Sequence, residues 1–263
     1  MKLVVGNSCA RHEIAAVPED CAQCAVREIA VCTALSAPEL ERLRSIAVTK
    51  LFEPGSTLFA ADEAATLVGT VVQGTIKCFK LLADGRQQII GFLFPGDFIG
   101  SPTQETTHGF AEALTKVELC LFPFPAIQRL IHEMPNLERR LLTLANEDLD
   151  LAREWMLLLG RKTAQERLAT FLLLLAQKAK ARGIDANGIG GGAIDLPMNR
   201  SEIADYLGLS LETVSRQFTK LKSSGHIRIE HNNAITIRNL DGLIEIAEGM
   251  AERPTQRSTQ GVQ

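Results

Sequence analysis

The sequence lacks any apolar segment of the kind that targets or anchors a chain in a membrane. Residues 1–5 carry no extended apolar stretch, and no run reaches spanning length. The longest candidate, residues 172–175, is short and is followed by polar residues. We therefore expect a cytoplasmic protein with no membrane partner. Thiols stay reduced there, so the six cysteines are not expected to form a disulfide framework.

A basic excess and a catalytic motif are also missing. The net charge is −3 over 263 residues, which excludes a globally basic protein that coats nucleic acid. No catalytic dyad or phosphate-binding loop is present, so we predict that the chain is not an enzyme. The spacing of His108, His132, His226 and His231 suggests neither haem binding nor catalysis. The length permits a sizeable core and two domains.

One segment near residue 208 has the pattern of two short helices around a glycine. The first helix ends at Gly208, and Ser210 can cap the second. Apolar residues of the second helix recur at helical spacing, at Leu211, Val214, Phe218 and Leu221. A β-hairpin wing follows, with strands at 227–230 and 235–238. The pattern predicts a winged helix-turn-helix.

The polar face of the second helix suits double-stranded DNA. Glu212, Ser215 and Arg216 share this face because positions three and four apart are neighbours. A carboxylate accepts from cytosine N4, and a guanidinium holds guanine O6 and N7. Residues 200–238 also contain six Lys and Arg against four acids, which makes them locally positive. We predict phosphate contacts for four further residues: Arg200, Ser201, Ser210 and Thr213.

The preceding part of the chain changes from strand patterns to a long helix. Short β patterns with Gly and Pro turns predict a small barrel or jelly roll. They lie at residues 67–72, 74–82, 87–93 and 117–122. A helix over 135–159 then carries two apolar stripes and therefore needs two partners. One stripe would cover the barrel, at Leu137, Leu141, Leu144, Leu151, Trp155 and Leu158.

The second stripe predicts a homodimer, because a single helix-turn-helix usually needs a twofold partner. This predicted interface comprises Leu142, Ala145, Leu149, Ala152, Met156 and Leu159. The fold class is thus α+β. The predicted divisions are a cysteine-bearing arm (1–40), a cupin-like β-barrel (41–134), a dimerisation helix (135–160), the DNA-binding domain (161–240), and a C-terminal helix with a disordered tail (241–263).

Three cysteines in the N-terminal arm suggest a bound metal. Cys21, Cys24 and Cys32 lie in a segment without a core of its own, and thiolates suit iron–sulfur clusters or zinc. The histidines and second CxxC of common zinc sites are missing. An iron–sulfur cluster, zinc, a redox thiol and no cofactor all stay open on these residues alone. Cys78 shares a strand face with Ile76 and is expected to be a core thiol, whereas Cys9 has no assigned role.

The order of barrel, long helix and winged helix-turn-helix resembles the CRP/FNR family of transcription regulators. The resemblance covers residues 40–240 and rests on Pro54-Gly55, the PGDFIG turn at 95–100 and the helix-turn-helix. The segment Leu211-Glu212-Thr213-Val214-Ser215-Arg216 is similar to the FNR/FixK branch, which implies a palindromic TTGAT-type site. The family also implies a contact with RNA polymerase through the turn at residues 84–86, which is otherwise a simple hairpin turn.

The family resemblance argues against one ligand, a cyclic nucleotide, and implies another, an iron–sulfur cluster. The cyclic-nucleotide branch holds its phosphate with an arginine, but no arginine lies between Arg86 and Arg129, so we expect no cyclic nucleotide. The oxygen-responsive FNR/FnrL branch carries three arm cysteines and one in the barrel. That resemblance implies a [4Fe–4S] cluster on Cys21, Cys24, Cys32 and Cys120. A FixK-type regulator without a cluster, controlled by its expression level or by thiol oxidation, is the alternative.

Overall fold

The computed structural model describes residues 19–181, 183, 193–230 and 234–250. Cys9, the wing turn at 231–233 and the predicted disordered tail lie outside these residues. The elements are α1 (Glu19–Ala22), a 3₁₀ turn (Val31–Ala34), α2 (Ala37–Ser45), β1 (Val48–Phe52), β2 (Thr57–Phe59), β3 (Leu67–Gln73), β4 (Ile76–Leu81), β5 (Gln87–Leu93), β6 (Phe98–Ile99), β7 (Phe110–Ala113), β8 (Val117–Pro123), α3 (Phe124–Glu133), α4 (Pro135–Arg161), α5 (Ala164–Ala181), α6 (Arg200–Leu207), α7 (Leu211–Ser223), β9 (Ile227–Ile229), β10 (Ile235–Ile237) and α8 (Leu240–Ala247).

Two antiparallel sheets form the barrel, with strand orders β1-β8-β3-β6 and β2-β7-β4-β5. Side chains alternate between the faces of a strand, so β8 contributes to two different cores. Val117, Leu119 and Leu121 are buried inside the barrel. Phe122 points to the opposite face and joins a second cluster. Cys120 lies on that same outer face, away from the barrel interior.

The outer face of the first sheet is covered by helices and by the N-terminal arm. Val31 from the 3₁₀ turn, Leu43 from α2 and Leu137 from α4 pack with Val68 and Phe122 of the sheet. This second cluster fastens the arm between the barrel and the start of the long helix.

Helix α4 has one apolar face that is buried and one that is exposed. It contains 27 residues and is about 40 Å long. Leu137, Leu141 and Leu158 are buried, as predicted for the stripe that covers the barrel. Leu151 of that stripe differs, because it is 38% exposed. Trp155 is partly buried and packs against the main core.

The DNA-binding unit comprises α5 to α8 and the β9–β10 hairpin, and α6 packs on β5 of the barrel. The ring of Tyr206 stacks on Trp155 at 4.2 Å between centroids and meets Phe92 edge-on at 4.9 Å. Lys178 Nζ lies 2.5 Å from Asp97 Oδ1, which adds an ion pair between α5 and the barrel. Apolar packing and this ion pair therefore join the two units.

The predicted α+β architecture is confirmed. The strand patterns at 67–72, 87–93 and 117–122 correspond to β3, β5 and β8, and α4 extends two residues beyond its predicted end. Strands β2, β6 and β7 were not singled out, because runs of two to four residues are too short to show alternation. The divisions at residues 40, 134, 160 and 240 stay predictions. Among the described residues, none of the helices combines the length and apolar character needed to span a membrane.

Candidate functional site

Local hydrogen bonds fix the two helices of the helix-turn-helix. Asn199 Oδ1 accepts from the Glu202 amide at 2.9 Å, and Glu202 Oε2 accepts from the Asn199 amide at 2.8 Å, which forms a capping box. Gly208 ends α6 at φ +61°, a left-handed conformation that favours glycine. Ser210 Oγ then accepts from the Thr213 amide at 3.2 Å and caps α7.

The outer face of α7 is free to meet a ligand. Val214, Phe218 and Leu221 are buried against the rest of the domain. The three predicted base-reading residues are all exposed on the other side: Glu212, Ser215 and Arg216. The structure therefore brings these three side chains together on one accessible surface.

Hydrogen bonding favours the charged form of Glu212. Bonds from its own backbone N–H and from Ser210 lower the pKa of this exposed carboxyl. The group is thus a hydrogen-bond acceptor at neutral pH. Arg216 Nη2 donates to Thr213 Oγ1 at 3.5 Å, a long contact that leaves the rest of its guanidinium for a ligand. Acceptor and donor therefore lie within one helical turn.

Arg200 has a packing role in this structure. Its guanidinium carbon lies 3.1 Å from the centroid of the Phe218 ring, so it stacks between α6 and α7. Burial lowers the pKa of Arg200 to about 10. Its Nη1 is buried and finds no hydrogen-bond partner among the described residues. Ser201 and Ser210 are exposed, whereas Thr213 is partly buried. The phosphate contacts of all four stay predictions.

The four predicted cysteine ligands interact electrostatically in the structure. Cys21 lies in α1, and Cys32 lies in the 3₁₀ turn. Cys24 lies between them, and its backbone amide donates to the carbonyl oxygen of Cys21 at 3.4 Å. Burial raises the pKa of Cys32 to about 12, and Cys120, Cys21 and Cys24 raise it further. Burial likewise raises the pKa of Cys120 to about 11, again with contributions from Cys21 and Cys24. The arm therefore brings its thiols close to the barrel cysteine.

The thiols are not gathered around one point. Among the described residues, no three His, Cys, Asp or Glu side chains are placed to hold a single metal ion. A mononuclear zinc site requires such convergence. A cubane cluster instead offers four separate iron atoms, each to its own thiolate. These thiols are partly buried and near one another, so they suit a cubane cluster better than a mononuclear zinc ion.

The arm also contacts α4 directly. Arg140 Nη2 donates to the carbonyl oxygen of Ile29 at 3.3 Å, and Arg140 Nη1 lies 3.7 Å from Glu147 Oε1. Asn136 Nδ2 donates to Glu39 of α2 at 3.1 Å. The segment between Cys24 and Cys32 is therefore bonded to the helix that carries the predicted dimer stripe.

Most of that dimer stripe lacks a partner within the described part of the chain. Leu142 is 62% exposed, Leu149 47% and Met156 73%. Ala145 and Ala152 are exposed between them. Leu159 differs, because it is partly buried against the core of the DNA-binding unit. Burying large apolar side chains against a second copy would remove this area from water.

The barrel carries an open cavity of about 370 Å³. Lys80 and His108 are the basic residues of its described lining, which includes no arginine. Apolar and hydroxyl-bearing side chains form most of the remainder, among them Phe59, Leu67 and Thr106.

Sequence comparisons agree with this architecture. Residues 49–134 match the cyclic nucleotide-binding domain family, and residues 166–246 match the Crp-like helix-turn-helix domain family. Transcriptional activator protein FnrL of Cereibacter sphaeroides is 36% identical over 236 residues, which cover 90% of this chain and 95% of that protein. Nitrogen fixation regulation protein FixK of Bradyrhizobium diazoefficiens is 41% identical over 216 residues, covering 80% and 87%.

The solved structure of FixK2 from Bradyrhizobium japonicum is similar with a TM-score of 0.70 and 34% identity, over 76% of this chain and 97% of that one. The chain belongs to the CRP/FNR family of transcription regulators. Its relatives are DNA-binding regulators and not enzymes. The match of the barrel to a cyclic nucleotide-binding domain describes its fold and leaves its ligand open.

Sequence reasoning missed several residues of this CRP/FNR regulator. Arg140 and Ile29 join the arm to α4, and Thr70 lies beside Cys120 in the sheet. Trp155 and Tyr206 stack where the two units meet. Each of these pairs joins distant parts of the chain, and residue spacing carries no signal for such contacts. The core position of Cys78, in contrast, is confirmed, because it packs against the cluster that contains Ile76.

Proposed function

We propose that this protein is an oxygen-responsive transcription regulator that holds a [4Fe–4S] cluster on Cys21, Cys24, Cys32 and Cys120. The observation that carries the proposal is the packing of Cys32 and Cys120 against one apolar cluster, with Cys21 and Cys24 near enough to raise the pKa values of both. Two segments far apart in sequence supply these groups, and packing of the arm on the sheet brings them to one side of the barrel. When bound, such a cluster would supply a redox-active group that oxygen degrades.

Holding a cluster would change the protonation of the cysteines. With pKa values of about 12 and 11, Cys32 and Cys120 are protonated thiols at neutral pH. Iron ligation requires thiolates, so loading has to release their protons. Four thiolates near one another also repel, and bound cations would relieve that repulsion. Bound iron would thus stabilise the thiolate forms of these cysteines.

One hydrogen bond offers a route from the cysteines to the dimer helix. Ile29 lies between Cys24 and Cys32, and its carbonyl accepts from Arg140 of α4. A reordering of the arm would therefore act on the helix that presents Leu142, Leu149 and Met156. A balance between monomer and dimer responds to differential contacts of a few kcal/mol. We propose that the regulator binds DNA as a homodimer controlled in this way.

The DNA site is proposed to be a TTGAT-type palindrome. Arg216 holds the guanine, Glu212 the cytosine opposite or its neighbour, and Ser215 a thymine. Two α7 helices related by a twofold axis should fall about one DNA turn apart. Phosphate contacts come from Arg200, Ser201, Ser210 and Thr213. RNA polymerase is proposed to meet the turn at residues 84–86, and the barrel cavity is proposed to bind no cyclic nucleotide, since its described lining offers no arginine.

A regulator without a cluster is the second candidate. It is favoured by the 41% identity to FixK. In that case the arm cysteines would act as thiols, and iron would not affect DNA binding.

The discriminating experiment is a DNA titration by fluorescence anisotropy with a TTGAT palindrome. One portion of anaerobically purified protein is kept under nitrogen, and one is exposed to air and then returned to nitrogen with a thiol reductant. The first proposal expects tight binding before air and weak binding after it, unrestored by reductant. Equal affinities, or full restoration by the reductant alone, would favour the regulator without a cluster.

A further inference from the structure

A row of four side chains crosses the first barrel sheet at Cys120. In the register of the strands, Thr49 of β1 pairs with Cys120 of β8, Cys120 pairs with Thr70 of β3, and Thr70 pairs with Phe98 of β6. Paired residues point to the same face of a sheet. Cys120 therefore has a threonine on each side, on the outer face that the N-terminal arm covers.

The two threonines differ in their surroundings. Thr49 lies on the edge strand and is exposed, so water can satisfy its hydroxyl. Thr70 is only 3% exposed, and its Oγ1 finds no hydrogen-bond partner among the described residues. Gly69 precedes it, and a Cβ there would lie 2.3 Å from the carbonyl oxygen of Cys120, so β3 and β8 approach closely at this point.

A buried hydroxyl without a partner is unusual, because no hydrogen bond in the protein offsets the free energy lost when it leaves water. Its cross-strand partners are Cys120 and Phe98, and of these two side chains only that of Cys120 can accept a hydrogen bond. A neutral thiol is a weak acceptor, and Thr70 makes no hydrogen bond to it in this structure. A thiolate that ligates iron carries negative charge, and hydrogen bonds to charged acceptors are the stronger ones.

We propose that Thr70 is a positioning residue whose hydroxyl donates a hydrogen bond to the Cys120 sulfur when that cysteine ligates iron. This inference rests on the proposed cluster. Hydrogen bonds to ligating sulfurs stabilise the more negatively charged, reduced state and so raise the reduction potential. Thr70 would thus slow the oxidative loss of the group that Cys120 holds, and would set how much oxygen the regulator tolerates.

The test compares three variants with the wild type after anaerobic reconstitution with iron and sulfide. Thr70→Val removes the donor and keeps the shape, Thr70→Ser keeps the donor, and Thr49→Val is the matched change on the exposed side of Cys120. For each, iron and sulfide content, reduction potential and the rate of absorbance loss in air are measured. Thr70→Val should have a more negative potential and bleach roughly two- to tenfold faster. The other two should stay within about twofold of the wild type.

The outcomes separate the two proposals. If the wild type takes up no iron and sulfide, the proposed cluster and this inference both fail. If the wild type is loaded and Thr70→Val matches it in potential and bleaching rate, the inference fails and the cluster stands. Failure of Thr70→Val to load, with normal loading of Thr70→Ser, would support it. Thermal unfolding of the iron-free proteins adds a check, since a less stable Thr70→Val would mean that the hydroxyl already has a partner there.

Discussion

Helix α7, which carries the proposed base-reading residues, and the cysteine site differ in how the chain assembles them. Helix α7 draws its caps, its buried face and its outer face from one continuous stretch, residues 210–223. The cysteine site joins an irregular arm to the eighth strand of a barrel. The first depends on helical periodicity, and the second on the register of β8 and the path of the arm. Local spacing is therefore a strong guide to one site and a weak guide to the other.

The two sites also differ in electrostatics. Glu212 is exposed, and hydrogen bonds lower its pKa further below neutral, so it is charged in the free protein. Cys32 and Cys120 are partly buried, with pKa values raised to about 12 and 11. The proposed DNA-reading face thus has its charges in the free protein, whereas the proposed cluster ligands would have to release their protons to bind iron.

The largest expected effect is at the cysteine site. Cys24→Ser replaces a soft thiolate ligand by a hydroxyl and should abolish cluster binding. Cys78→Ser is the matched control, because Cys78 packs in the barrel core away from the arm, and it should load normally. Iron and acid-labile sulfide assays on anaerobic preparations check both. Normal loading of Cys24→Ser would remove this residue from the site.

The next effect concerns the dimer stripe. Leu149→Glu places a charge in the proposed seam, and an unpaired buried charge costs about 3–5 kcal/mol. The dimer dissociation constant should rise by roughly 100-fold or more under nitrogen. Thr143→Glu adds the same charge on the opposite, exposed side of α4 and should leave the dimer intact. Sedimentation velocity distinguishes them, and an unchanged dimer in Leu149→Glu would show that the seam lies elsewhere.

A smaller and more specific effect is expected at the DNA-reading face. Arg216→Ala should remove about 1–3 kcal/mol of discrimination between TTGAT and a site changed only at the guanine. Lys222→Ala, at the exposed end of α7, should weaken binding to both sites equally. Competition binding measures the ratio. If Arg216→Ala loses affinity equally for both sites, then Arg216 binds phosphate and reads no base.

The smallest effect concerns the link between the two regions. Arg140→Leu removes the bond to the Ile29 carbonyl and the ion pair with Glu147. Iron loading should survive, but the gain in dimer affinity on loading should fall by about two- to fivefold. Arg139→Leu, on the exposed side of α4, is the control. Equal gains in both variants would show that the arm acts on the dimer by another route.

Most of the fold could be predicted from the sequence because the helix and strand patterns were long or were bounded by capping and turn residues. The two apolar stripes of α4, the Ser210 cap and the glycine at 208 each predict a local structure through a physical rule. Short strands such as β6 were beyond this reasoning, since pairing with β3 creates them. Leu151 is more exposed than its place in the barrel-covering stripe predicts, and Leu159 of the dimer stripe also packs against the core of the DNA-binding unit, a contact that spacing does not indicate.

The cysteine site was predictable only in part. The spacing of Cys21, Cys24 and Cys32 indicates thiolate chemistry, but Cys120 alone resembles a core thiol, and only the family resemblance joined it to the arm. The register of β1, β8 and β3 in the structure places Thr49 and Thr70 on either side of Cys120, and no spacing in the sequence indicates this. A one-residue slip would have turned all of them to the other face.

The most direct test of the account is the iron and sulfide content of the wild type, purified under nitrogen and followed by absorbance on admission of air. The account predicts a brown protein with iron and acid-labile sulfide in equal amounts, approaching about four of each per chain. Its visible absorbance should bleach in air as TTGAT binding is lost. A colourless protein that contains neither element and binds TTGAT equally well in air would contradict it.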